Sequence, residues 1–200
     1  MSVTFTPTQP ITTSAPEAAS PDALEKLRCR DAAEFDRLVE RETPALRRLV
    51  YRLLGWEADV DDVVQEVLIA AWAKIDSYRG DSLVATWLSA IAIRQCRKVI
   101  RRKQLWRNAH EYLRPLGFTA READAESSLE AMETEDKQKR LIQLAIKKLP
   151  QNQREVLVLV YLESNSLTAT AELLGIKKNT AEKRISRAKE NLREMLNRHE

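Results

Sequence analysis

The sequence predicts an all-α fold of two small helical domains joined by a flexible linker, on three observations. Apolar residues recur at three- and four-residue spacing through two long stretches, 31–103 and 140–197, as one face of a helix requires. The longest apolar run, Val156–Leu162, continues a helical pattern on both sides instead of alternating as a strand would. Between the stretches, residues 104–139 contain Pro115, Gly117 and an acid-rich run around Glu122–Asp136, the composition of a linker with at most transient helix. At 200 residues and 44% apolar content, the chain suffices for one ordinary domain or two small ones with packed cores.

Residues 1–30 are expected to form a disordered arm. As far as Pro21 they are mostly Ser, Thr, Pro and Ala, with too little large apolar surface to offset the entropy of ordering. In the first domain, 31–103, Phe35, Leu38 and Val39 begin one helix, and Thr43-Pro44 reads as an N-cap and N1 pair opening another. That second helix runs to Leu54, where Gly55 stops it. The next helix carries Val60, Val63, Val64, Val67, Leu68, Ala71 and Ile75 on its inward face. A second strip on that helix, Asp62, Gln65, Glu66 and Ile69, combines acidic, amide and apolar groups and points outward. The loop "DSYRGDS" leads into a long helix from Leu83 to Lys103, with Trp72 and Trp87 read as core. The second domain, 140–200, is helical and divided by Pro150 and Gly175.

Several function classes lose support at once. With glycine only at positions 55, 80, 117 and 175, no Gly-rich phosphate loop can be built. His110 and His199 have no Ser, Cys or carboxylate pattern around them that suggests catalysis. Cys29 and Cys96 are isolated, without the spacing of a zinc site or a disulfide framework, which fits a reducing cytoplasm. There is no basic segment followed by an apolar one at the N-terminus, and Val156–Leu162 is too short to span a bilayer. No enzymatic activity, catalytic residue, metal, cofactor, export or membrane insertion is expected. A formal charge of +3 says little about partners, so the distribution of charge must.

Two basic segments supply that signal. From Leu83 to Arg107 the chain holds Arg94, Arg97, Lys98, Arg101, Arg102, Lys103 and Arg107 without one acid. The helix dipole explains two or three cations near a C-terminus, not seven. Trp106 adds a ring able to stack on a base, so this helix reads as nucleic-acid-binding. The second segment, Leu167–Leu196, has helix-turn-helix grammar: a short helix to Leu174, a turn at Gly175, then a helix turning Ala181, Ile185, Ala188, Leu192 and Met195 inward. Its other side aligns Thr180, Lys183, Arg184 and Arg187, suited to phosphates and guanine edges. A capping box of Asn179 and Glu182 would start this helix at Asn179.

In order, "DVDDVVQEVLIAAW", "SYRGDSLVATWLSAIA", "IRRK", "LPQNQREVLVLVYLE" and "AELLGIKKNTAEKRISRAKENL" resemble a bacterial sigma factor of the extracytoplasmic-function group of the sigma-70 family. The resemblance covers nearly all of Phe35–Leu196. It implies a sigma region 2 helical bundle over 31–103 and a region 4 helix-turn-helix over 140–200, in a cytoplasmic transcription initiation factor. Its implied partners are core RNA polymerase and promoter DNA, both duplex and unpaired non-template strand, with an anti-sigma factor as a family expectation. Asp62, Gln65, Glu66 and Ile69 would dock on the polymerase clamp helices through charge-assisted hydrogen bonds and apolar anchorage. The loop from Asp76 to Ser82, through Ser77, Tyr78, Arg79 and Asp81, would hold a flipped base of the minus-ten element. Arg94, Arg97, Lys98, Arg101 and Arg102 would guide that DNA. Lys178, Asn179, Thr180, Lys183, Arg184 and Arg187 would bind the minus-thirty-five element, and the surface around Val156–Leu162 the polymerase flap.

The chain also departs from the family pattern. Arg94 and Lys98 stand where Asn and Asp are common, which leaves minus-ten preference open. Thr170 and Ala181 replace larger apolar residues in the helix-turn-helix core, Glu182 stands where a cation is common, and the family pattern starts the recognition helix nearer Lys177. The alternative reading is a helix-turn-helix regulator that acts without being a polymerase subunit. It accounts for the second module and leaves the acidic strip and basic helix of the first unexplained.

Overall fold

The computed structural model describes residues 21–113 and 134–197, and every regular element among them is helical. Helix α1, Pro21–Arg28, starts on a proline, whose fixed φ suits a first helical position. It occupies part of the arm expected to be disordered. Leu27 explains the difference, because its side chain is 2% exposed and belongs to the main core. The remainder of that arm, residues 1–20, lies outside the described residues.

Asp31 caps α2, Ala32–Leu54, by accepting from the Glu34 amide at 3.1 Å. The break expected at Thr43-Pro44 does not occur, and Pro44 lies inside one continuous helix. A proline inside a helix costs about 3 kcal/mol, whereas burying one large apolar side chain returns about 1.5–3 kcal/mol. Leu38 precedes the proline while Leu46, Leu49, Val50, Leu53 and Leu54 follow it, and all six are buried, so packing decides. The Thr43 hydroxyl donates back to the Val39 carbonyl at 2.6 Å, within the turn that precedes the proline. Gly55 ends α2 as expected, at φ 84° with its amide on the Tyr51 carbonyl.

Helix α3, Val60–Ala73, buries Val60, Val63, Val64, Val67 and Ala71, and a short 3-10 turn, Ile75–Ser77, follows. Helix α4 spans Val84–Leu113, ten residues beyond the expected end at Lys103, so His110 lies on a helix and not in a linker. α2, α3 and α4 pack on one another, with α1 laid across α2 and the 3-10 turn.

In the C-terminal bundle α5 covers Thr134–Lys148, including the end of the segment expected as linker. The part between α4 and α5, residues 114–133 with Pro115 and Gly117, lies outside the described residues. α6, Gln151–Leu157, continues into a π turn at Val158–Leu162. Helix α7, Leu167–Leu174, is capped by Ser166 accepting from the Ala169 amide at 3.1 Å, and closed by Gly175 at φ 67°. Helix α8, Lys178–Asn197, packs against α5, α6 and α7. Lys177 supplies its first carbonyl, to the Ala181 amide at 3.1 Å, so Asn179 belongs to the first turn and the capping-box start is displaced. The two bundles touch: α4 meets α7, and α2 meets both α6 and the π turn. One apolar cluster runs through both, from Leu38 and Cys96 to Val156, Leu159, Leu174 and Ala181. No helix among the described residues is long and apolar enough to cross a membrane.

Candidate nucleic-acid and partner interfaces

The acidic strip is where the helical spacing puts it. Asp62, Gln65, Glu66 and Ile69 are all exposed on α3, Ile69 to 56%. Arg47 takes the neighbouring Asp61 into an ion pair, whereas Asp62 and Glu66 enter none among the described residues. An exposed isoleucine beside two unpaired carboxylates forms a surface that can gain both apolar burial and charge-assisted bonds from a basic partner.

The loop after α3 is braced from within. Tyr78, expected to face DNA, is instead 3% exposed, because its ring packs 5.3 Å from that of Trp87 and its hydroxyl donates to the Ser82 carbonyl at 2.7 Å. Burial pushes the Tyr78 phenol above its ordinary range, so it stays neutral and keeps donating. Tyr78 is therefore a strut across the loop, while Ser77, Arg79, Asp81 and Ser82 are exposed around it. Trp72 and Trp87 are both half-buried, Trp87 packing against the core and Trp72 lying 4.8 Å from the Phe35 ring.

Along α4, Arg94, Lys98, Arg101 and Arg102 are exposed, as are Leu105, Trp106 and Arg107. Two expected cations are already engaged. Lys103 pairs with Asp59 and lies 4.3 Å from the Trp56 ring centroid. Burial raises the Asp59 carboxyl, but hydrogen bonds from Lys103 and Trp56 outweigh it and leave the group below its ordinary value. Arg97, expected to face DNA, is half-buried and grips Glu155 of α6 through Nε at 2.9 Å and Nη2 at 2.7 Å. A partner for Arg97 within the chain was absent from the sequence reading, since 58 residues separate the two.

On α8, Ala181 and Ala188 are fully buried and Ile185, Leu192 and Met195 half-buried, as the helix-turn-helix reading requires. Lys178, Asn179, Lys183 and Arg187 are exposed, and Thr180 and Arg184 half-buried. Arg184 turns toward a cleft between the bundles of about 540 Å³, opposite Arg97 and Arg101. The structure thus brings two cations of the first basic segment and one of the second to a shared cleft, while Arg94 and Arg187 do not line it. Val156, Leu157, Val158 and Leu159, expected as a docking surface, are buried, and of that run only Tyr161 is exposed.

Sequence reasoning missed the carboxylates that join the bundles. Glu163 accepts from Arg52 at 2.6 Å, and Arg52 also donates to the Leu162 carbonyl at 2.9 Å. It also missed Arg28 and Arg30, which reach the loop after α3 from the N-terminal segment. Leu24 and Leu27, three residues apart, were the available signal for a helix there.

Comparison with known proteins agrees with this geometry. The family model "Sigma-70 region 2" matches residues 38–107, and "Sigma-70, region 4" matches residues 139–192. The ECF RNA polymerase sigma factor SigW of Bacillus subtilis is 31% identical over 183 residues, covering 86% of this chain and 94% of that protein. SigM of Mycobacterium tuberculosis, also an ECF RNA polymerase sigma factor, is 29% identical over 166 residues, covering 83% and 79%. Among solved structures, the sigma factor RpoE in complex with the anti-sigma factor NepR from Bartonella quintana superposes with a TM-score of 0.62 at 25% identity, covering 82% of this chain and 97% of that one. CnrH in complex with the cytosolic domain of CnrY has the same fold, with a TM-score of 0.63 at 24% identity over 91% of this chain and 99% of that one.

Proposed function

Because the chain belongs to the extracytoplasmic-function group of sigma-70 factors, we propose that it is a dissociable specificity subunit that binds core RNA polymerase and directs it to promoters. The observation that carries this reading is the pairing of both sigma modules, in order, on one chain with an exposed acidic strip on the first. A free regulator would need the second module alone.

The N-terminal bundle acts as region 2. Asp62, Gln65, Glu66 and Ile69 engage basic clamp helices of the polymerase, which suits a strip that is exposed and unneutralised. The loop 76–82 receives a flipped base of the unpaired non-template strand, around the rigid strut of Tyr78. Arg94, Lys98, Arg101 and Arg102 steer the adjoining phosphates, and Trp106 offers a stacking face. The C-terminal bundle acts as region 4, laying α8 in the major groove with Lys183, Arg184 and Arg187 toward the DNA. The protein works in the cytoplasm as a non-catalytic factor, and an anti-sigma protein is a further partner.

Capture by bacterial core polymerase without DNA tests the reading directly. The chain should bind stoichiometrically and make core polymerase start transcription at a restricted set of sites. DNA binding without polymerase binding would return the assignment to a free regulator.

A further inference from the structure

The N-terminal helix reaches the loop that the preceding section assigns to base capture, and it does so with exposed charged side chains. Arg28, the last residue of α1, donates from Nε to the Tyr78 carbonyl at 3.3 Å and from Nη2 to the Arg79 carbonyl at 3.0 Å. Two residues on, Arg30 forms a two-pronged pair with Asp76, at 3.3 Å from Nε and 2.8 Å from Nη2. Arg30 has φ 57°, a left-handed conformation that disfavours a residue with a side chain. Leu24 covers the loop from the same helix: a Cβ placed on Gly80, itself at φ 81°, would lie 2.7 Å from Leu24 Cδ2.

These contacts separate anchoring from positioning. Leu27 anchors α1, since it is buried in the main core. Arg28 and Arg30 are exposed, and exposed ion pairs contribute little to stability. What they fix is geometry. Three parts of the loop, the Asp76 carboxylate and the Tyr78 and Arg79 carbonyls, are tied to the end of one helix and the turn that follows it, while the Arg79, Asp81 and Ser82 side chains remain exposed. A loop held in its receiving shape before DNA arrives does not have to be ordered at the moment of capture.

We propose that α1 is a brace for the base-capturing loop, with Arg28 and Arg30 as positioning residues that set how sharply the loop discriminates the flipped base. The inference rests on the base-capture reading given above. Neither residue touches DNA in this scheme; they act through the backbone and Asp76.

The test uses full-length protein with bacterial core polymerase, on promoters that the wild-type holoenzyme selects from a library randomised across the minus-ten region. The readout is the ratio of open-complex formation rates between the preferred base at the captured position and its three replacements. Arg28→Ala combined with Arg30→Ala should cut this ratio about tenfold, leaving polymerase affinity and minus-thirty-five preference unchanged. A merely less stable protein would slow all promoters alike and leave the ratio intact. Arg30→Lys, which keeps a cation beside Asp76, should recover part of the ratio relative to Arg30→Ala. Asp81→Ala in the loop itself is the companion variant. An unaltered ratio in the double variant, with Asp81→Ala lowering it, overturns the brace alone. Should Asp81→Ala and the double variant both leave it unaltered, base capture falls and the brace with it.

Discussion

Glu66 and Thr170 are opposite cases of a polar side chain out of the ordinary. Glu66 is exposed on an acidic strip with no ion pair among the described residues, so its charge is available to a partner. Glu66→Arg should weaken core-polymerase binding by about 2 kcal/mol, the size expected of a central desolvated contact, and leave helical content unchanged. Titration of labelled protein with polymerase measures the first and circular dichroism the second; equal affinities would remove α3 from the interface. Thr170 is fully buried on α7, and its hydroxyl finds no partner among the described residues. The consequence is a polar atom desolvated without return. Thr170→Val keeps the shape and removes the orphaned group, so thermal unfolding should show a gain of about 1 kcal/mol. A loss would mean that the hydroxyl is satisfied after all.

At the scale of the element, local signals were legible wherever one turn decided the outcome. Gly55 and Gly175 end α2 and α7 in left-handed conformations, as glycine after a periodic run implies. The inward faces of α3 and α8 follow their spacing residue by residue. Legibility failed where a local signal met tertiary packing. Thr43-Pro44 reads as a helix start, yet six buried side chains on α2 carry the helix through it. Leu27 sits at the end of a polar arm, and only the core it enters makes α1 form. Tyr78 is a DNA contact by the family resemblance of its loop, and its ring folds under the loop instead. On α8 the strip itself was legible, but not that Arg184 borders the cleft while Arg187 does not. That difference shapes a prediction. If Arg184 reads a guanine edge, Arg184→Ala should cost roughly 1–3 kcal/mol on the preferred sequence and relax preference at one position. If Arg187 grips phosphate, Arg187→Ala should weaken binding to all sequences and lower the salt slope by about one ion. Sequence selection by the holoenzyme at two salt concentrations separates these, and two silent variants would take α8 out of the groove.

At the scale of the molecule, the two bundles share one core and a polar seam, which no spacing within either could announce. Arg97 and Glu155 join α4 to α6, Arg52 and Glu163 join α2 to the end of the π turn, and Arg154 lies against the C-terminus of α2. A Cβ on Gly55 would approach Arg154 Nη1 to 3.0 Å, so the glycine that stops α2 also gives the guanidinium room. Burial holds the Glu163 carboxyl above its ordinary value, more than Arg52 lowers it. A raised folded-state value means that the folded protein binds the proton more tightly than the unfolded chain does. Stability from this group is therefore greatest at acid pH and declines as pH rises through the ordinary carboxylate range to the raised value. Glu163→Gln should remove that slope and leave stability at neutral pH within about 1 kcal/mol of wild type, which unfolding at several pH values measures.

The closed seam also occupies two features that the family resemblance assigns to partners. Arg97 has two of its three guanidinium nitrogens on Glu155, and the stretch Val156–Leu159 is buried, so in this arrangement neither is presented to DNA phosphates or to a polymerase flap. Those two expected roles would require the bundles to part, and the Arg97–Glu155 pair is the contact to weaken. Glu155 is 4% exposed and also accepts from Gln151 at 2.8 Å, so its buried oxygens are satisfied by donors on both sides of the seam. Arg97→Glu or Glu155→Arg alone places like charges across the seam and should open it; the double reversal restores opposite charges and should close it again. A donor–acceptor dye pair, one on exposed Cys29 and one on Arg193→Cys, reads the separation directly. Burial pushes the Cys96 thiol up to about 12, which keeps it from competing for label. Each single reversal should lower transfer efficiency, and the double should recover most of it. Identical efficiencies in all four proteins would show that this pair does not govern the arrangement of the bundles.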